Sequence, residues 1–143
     1  MPVTRAARKL THRGVLRVLE AAVAAAEGMA VPQCVAIVDE GCNLLAFARM
    51  DGARVLSIES ATAKAMTAAA TGLPTGSLPP DKAPALAAAT GGRMTNLPGG
   101  LPLLVAGQIV GGIGVGSGTS EQDAEVARAA LDAFSRLLTE EPA

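Results

Sequence analysis

Lys64 is the residue whose surroundings in the sequence invite a chemical reading first. It lies on an Ala-rich stretch with Ser57, Glu59 and Ser60, just after Arg49 and Asp51. On a helix, Ser57, Ser60 and Lys64 fall on one face, three, four and seven positions apart. A lysine held among small apolar residues is a candidate for a lowered pKa, as a nucleophile or general base requires. In such a site Arg49 would hold an anionic group, and Lys64 or Asp51 would move a proton. The same lysine could instead pair with Asp51 or Glu59. His12, the single histidine, opens a helical pattern; it is either a solvated residue or an axial ligand to haem iron.

Two glycine clusters could place backbone amides near an anion. Gly99-Gly100 follows Pro98, and the run Gly111-Gly112-Ile113-Gly114-Val115-Gly116-Ser117-Gly118 leads into a helix N-terminus whose first residues include Glu121 and Asp123. Gly114, Ser117 and Gly118 could help to line a carboxylate pocket there or stabilise developing negative charge. The spacing matches neither a dinucleotide fingerprint nor a phosphate loop. Glycines inside a strand more often mark the close approach of another backbone, and carboxylates in a first helical turn suit the macrodipole. One His and two distant Cys do not make a zinc pattern, so no metal site is expected.

The elements that must position these residues follow from periodicity. Val15, Val18, Leu19, Ala22, Val23 and Ala26 form a helical stripe, with Thr11 as N-cap and Gly28 as a left-handed exit. Residues 33–39 and 43–49 read as a β-hairpin across Glu40-Gly41-Cys42. A helix is expected from about Val55 to Ala70, then a long irregular stretch from Thr71 to Pro102 containing a short helix, Ala83 to Ala89. Residues 103–105 and 108–115 form a second hairpin across Ala106-Gly107. The Thr119-x-x-Gln122 capping box opens the last helix. This order predicts one α/β domain, an antiparallel sheet flanked by helices.

Composition bounds the function. The chain has 143 residues, no Trp, no Tyr and only two Phe, with a formal net charge of −1. Single-stranded nucleic acid is recognised on aromatic platforms and duplexes by basic fields, so nucleic-acid partners are not expected. No run of about eighteen apolar residues predicts a membrane span. Cys34 and Cys42, without CxxC spacing, read as reduced thiols, and with no apolar stretch after Arg5, Arg8 and Lys9 to serve as a signal peptide, a cytoplasmic location is expected.

Several segments in this order resemble the GlcG/HbpS-like haem-binding family, which includes the C-terminal domain of PduO-type corrinoid adenosyltransferases. They are Val38-Asp39-Glu40-Gly41-Cys42-Asn43-Leu44, Arg49-Met50-Asp51-Gly52-Ala53, Lys64-Ala65-x-Thr67-Ala68 and Pro74-Thr75. Pro98-Gly99-Gly100-Leu101-Pro102, Gly107-x-x-Val110-Gly111-x-Ile113-Gly114-Val115 and Glu121-Gln122-Asp123 continue the match, which spans about Leu10 to Leu138. The resemblance implies a profilin-like, three-layer domain with a five-stranded antiparallel sheet. It also implies a homo-oligomer of dimers or higher, and haem or a similar tetrapyrrole as ligand, with His12 in the region of a proposed ligand. Cys42 stands where the family has a second glycine, and Gly116-Ser117-Gly118 reorders the usual end of the last strand. Two other readings remain: a cofactor-independent enzyme using Lys64, Asp51 and Arg49 on a polar or carboxylate-bearing metabolite, and an accessory subunit without a site.

Overall fold

A computed structural model describes residues 1–142. The element order is α1 (His12–Gly28), β1 (Cys34–Asp39), β2 (Leu44–Arg49), α2 (Ser57–Thr71), α3 (Ala83–Ala89), β3 (Gly100–Val105), β4 (Gln108–Gly116) and α4 (Ser120–Thr139). Both hairpins and all four helices expected from periodicity form. The four strands make one antiparallel sheet in the order β2-β1-β4-β3. The helices pack on opposite faces: α2 on one, α1 and α4 together on the other.

The strand alternation sorts the core. Val35, Ile37, Ile113 and Val115 join Val15, Val18, Val126 and Phe134 on the α1/α4 side, while Cys34, Ala36 and Val38 meet Ala61, Ala65 and Ala69 of α2 on the other. The α2 side is built almost wholly from small residues, so helix and sheet come very close. Gly112, Gly114 and Gly116 face α2: a Cβ on Gly112 would lie 2.9 Å from Ala69 N, and one on Gly114 would run into the backbone of Ala61 and Ala65. Gly112, Gly114 and Gly116 are thus an imprint of α2, which is the packing alternative for glycines within a strand.

The sheet has four strands rather than the five expected. Residues 93–97, which lead into β3, spend their hydrogen bonds elsewhere. The Thr95 amide donates to Thr67 Oγ1 (2.9 Å), the Leu97 amide to Thr95 Oγ1 (3.2 Å), and the Asn96 side chain exchanges bonds with the Leu78 backbone (2.9 and 3.1 Å). A segment bonded to side chains in this way does not build a ladder. β3 also starts earlier than expected, at Gly100, and carries Pro102; β3 is an edge strand, where proline is tolerated.

Helix caps follow the sequence with one exception. Thr11 Oγ1 accepts from the Gly14 amide at α1, and Thr119 and Gln122 complete the capping box at α4. The left-handed residue after α1 is Ala30 (φ 55°), not Gly28, which remains helical. In the first hairpin turn Asp39 Oδ1 accepts from the Gly41 and Asn43 amides, both at 2.9 Å. Cys42 there has φ 64°, in the left-handed region that favours glycine.

Candidate functional site

Lys64 projects from the sheet-facing side of α2 and is 4% exposed. Its Nζ donates to Val115 O (2.7 Å) and to Asp123 Oδ2 (2.9 Å), so its ion-pair partner is Asp123 of α4 instead of Asp51 or Glu59. Asp123 is equally buried, and its Oδ1 accepts from the Gly118 amide at 2.9 Å. Position in the first turn of α4 adds the favourable end of the helix dipole. Each charged group is therefore taken from water into a set of specific bonds, the condition under which a buried pair is tolerated.

The Pro98-Gly99-Gly100 turn closes over this pair. Gly99 has φ +116°, and a Cβ there would sit 2.8 Å from Asp123 Cβ and 3.2 Å from Lys64 Nζ. Gly99 O accepts from the Val115 amide (2.9 Å), while Gly100 exchanges bonds with Thr75: N to Oγ1 at 2.8 Å and O from Thr75 N at 3.0 Å. A Cβ on Gly100 would lie 2.6 Å from Lys64 O. The structure thus brings Lys64, Gly99, Gly100 and Gly114 together with two residues that sequence reasoning did not place there, Asp123 and Thr75. Both belong to segments of the family resemblance, the one signal that could have pointed to them.

The other expected site residues lie elsewhere. Arg49 ends β2 and Asp51 sits in the following turn, both exposed and with no hydrogen bond or ion pair to Lys64. Ser117, at φ 88°, accepts from the Arg54 amide through Oγ (2.8 Å), and Glu121 is exposed in the first turn of α4. The Gly118 amide is bonded to Asp123 and the Thr119 amide to Gln122 Oε1 (2.9 Å), so the chain's own side chains already occupy this amide cluster.

His12 is the first residue of α1 and is exposed. Leu16, one turn further along the same face, is 48% exposed. Arg8 and Arg13, also exposed, flank the histidine in sequence. Next to α1 lies an apolar cavity of about 100 Å³, walled by Leu10, Val15, Val18, Ile37, Leu103 and Phe134. Pockets for drug-sized ligands run to about 300–1,000 Å³, so this cavity does not enclose a tetrapyrrole. His12 is the residue that could hold haem iron, with Leu16 exposed one turn away.

Titration shifts are structural in origin. Burial pushes the thiols of Cys34 and Cys42 up, for Cys42 with the help of the Asp39 carboxylate; both thiols are free. Burial alone would raise Asp39, but bonds from Asn43 and Gly41 and the charge of Lys9 hold its carboxyl below the usual value. No helix is long and apolar enough to cross a membrane among the described residues.

Comparison with known proteins gives this geometry a context. A 15.0 kDa uncharacterised protein of Citrobacter freundii, from the dhaT–dhaS intergenic region, is 35% identical over 134 residues, which are 90% of this chain and 94% of that protein. The crystal structure of Klebsiella pneumoniae protein ORFY superposes with a TM-score of 0.85 at 29% identity, covering 94% of this chain and 97% of that one. The crystal structure of a PduOC:heme complex superposes with a TM-score of 0.81 at 31% identity, covering 88% and 95%. The model of the family described as haem-degrading, HbpS-like proteins matches residues 10–132, and the chain belongs to that family.

Proposed function

We propose that this protein binds haem or a similar tetrapyrrole, as a small cytoplasmic homo-oligomer, with His12 as the axial ligand. The observation that carries the reading is the likeness over nearly the whole chain to PduOC, a protein crystallised with heme. Haem supplies an iron centre; what this chain supplies is a histidine free to ligate it, an exposed apolar neighbour in Leu16 and nearby guanidinium groups. Two free thiols suit a reducing compartment. Oligomerisation draws support from exposed apolar side chains around the start of α2, Val55 (61%), Leu56 (75%) and Ile58 (37%), and from Leu44 (52%) on β2. A second chain would also add the walls that a surface-bound macrocycle lacks here.

Lys64 takes a different part in this reading. Through Val115 and Asp123 it fastens α2 to β4 and α4, beneath the Gly99 turn. Its bonds to Asp123 and Val115 support this role over proton transfer for the enzyme built on Lys64, Asp51 and Arg49.

Haemin titration tests the proposal. Without Trp or Tyr the apoprotein absorbs almost nothing at 280 nm, so ligand bands stand alone. The expected result is a saturable, shifted Soret band and a rise in melting temperature, since a ligand of the native state stabilises it. A spectrum that remains that of free haemin at every ratio refutes it.

A further inference from the structure

Met50 lies one step beyond the Cys34–Arg49 pair that ends the β1–β2 ladder, and its join to Gln33 is irregular. A hydrogen-bonded pair of an antiparallel ladder exchanges N–H···O bonds in both directions. Here the Met50 amide donates to Gln33 O (3.0 Å), but the Met50 carbonyl turns away and accepts from the Ala53 amide (3.0 Å). The Gln33 amide donates to Met50 Sδ instead, at 3.3 Å. We propose that Met50 is a site of oxidation by hydroperoxides, its sulfoxide held in the fold by the Gln33 amide.

Gln33 is fully buried, so its amide depends on the acceptor that the chain provides, and a thioether is a weak one. Oxidation turns that sulfur into a polar sulfoxide, whose oxygen would restore the N–H···O bond that the turn takes from the ladder. A sulfoxide ordinarily disrupts packing because it brings a polar group without a partner; at Met50 the partner is already in place. Met50 is half-buried between exposed Arg49 and Asp51, so solvent reaches the residue. Its unbranched, flexible side chain lets the oxygen take the place that the sulfur now holds. Among the described residues only Met29 has a comparable donor, Gln33 Nε2, at a longer 3.9 Å. In the reaction a sulfur lone pair attacks one peroxide oxygen, so that the S–O bond forms as the O–O bond breaks. Sulfur gives up an electron pair, and the second oxygen leaves protonated, as water when the oxidant is hydrogen peroxide.

The test uses the full chain without haemin, treated with hydrogen peroxide and then with dithiothreitol to return the thiols. Trypsin cuts after Arg49 and Arg54, so residues 50–54 carry Met50 as their one methionine. That peptide is expected to gain an oxygen in the folded protein. In 15N-labelled protein the Gln33 amide proton is expected to move downfield and to exchange more slowly with solvent. In Met50→Leu, a swap of similar volume, peroxide is expected to leave the Gln33 amide unmoved. Any fall in melting temperature on oxidation is expected to be no larger in the wild type than in Met50→Leu. The proposal is overturned if Met50 stays a thioether under peroxide that converts the exposed Met1 fully. It is equally overturned if the sulfoxide forms without a downfield shift at Gln33, or if oxidation destabilises the wild type more than Met50→Leu.

Discussion

Lys64 and Asp123 are 59 positions apart, and their pairing is a product of the fold alone. Read locally, Lys64 belonged with Asp51 and Glu59, and Asp123 with the dipole of its own helix. No periodicity could join them, because the contact needs α2 and α4 to meet across the end of β4. Removing one partner leaves the other charge buried and unpaired, at a cost of about 3–5 kcal/mol. Urea denaturation of Lys64→Met and Asp123→Leu, singly and together, checks this: each single change is expected to destabilise more than the double change. Equal, additive losses would show that the pair does not act as a unit. The thiols give a residue-scale prediction with a sign. Because folding raises both pKa values, the protonated thiols favour the native state below their unfolded pKa, and this contribution disappears as pH rises through the folded value. Alkylation by iodoacetamide at pH 8 is therefore expected to be slower in the native protein than in the urea-unfolded chain. Equal rates would contradict it.

At the scale of elements, the chain was most legible where local chemistry decides the structure. The short helix Ala83–Ala89, the Thr11 cap and the Thr119–Gln122 box stand where the sequence places them. Legibility failed where partners decide. Pro102 hid the first half of β3, because only an edge position makes proline acceptable in a strand, and edges are a property of the assembled sheet. Ala30 takes the left-handed turn that a glycine two residues earlier seemed made for. The glycines of β4 carried two readings in sequence, and at Gly112, Gly114 and Gly116 the close approach of α2 explains why no side chain fits. Gly114→Ala is expected to destabilise by about 1–3 kcal/mol or more, since its Cβ meets the α2 backbone and Lys64 Cβ at 3.0 Å. Gly28→Ala, with nothing within 4 Å of its Cβ, serves as the control and is expected to be neutral or mildly stabilising in thermal melts. Similar losses for both would remove the close α2–β4 contact as the reason for the glycines.

For the whole molecule, scarcity of aromatic residues is the constraint that runs from sequence to function. A core of Ala, Val, Ile and Gly forces thin layers and close helix–sheet contact, which the α2 face displays. It also leaves no broad aromatic wall on which a flat ligand could stack, and the apolar cavity beside α1 is far too small to enclose one. The site proposed for haem was legible only as a lone histidine and a family resemblance. Its remaining walls would come from a second copy, and one chain's sequence does not mark how copies meet. In the proposed haem complex His12 supplies the metal–ligand bond. The most direct measurement is the Soret spectrum of haemin bound to His12→Ala, recorded with and without added imidazole. The expected result is that the bound-haem spectrum of the wild type is lost in the variant and restored by imidazole, which replaces the missing ring. A His12→Ala spectrum and affinity identical to the wild type would contradict it.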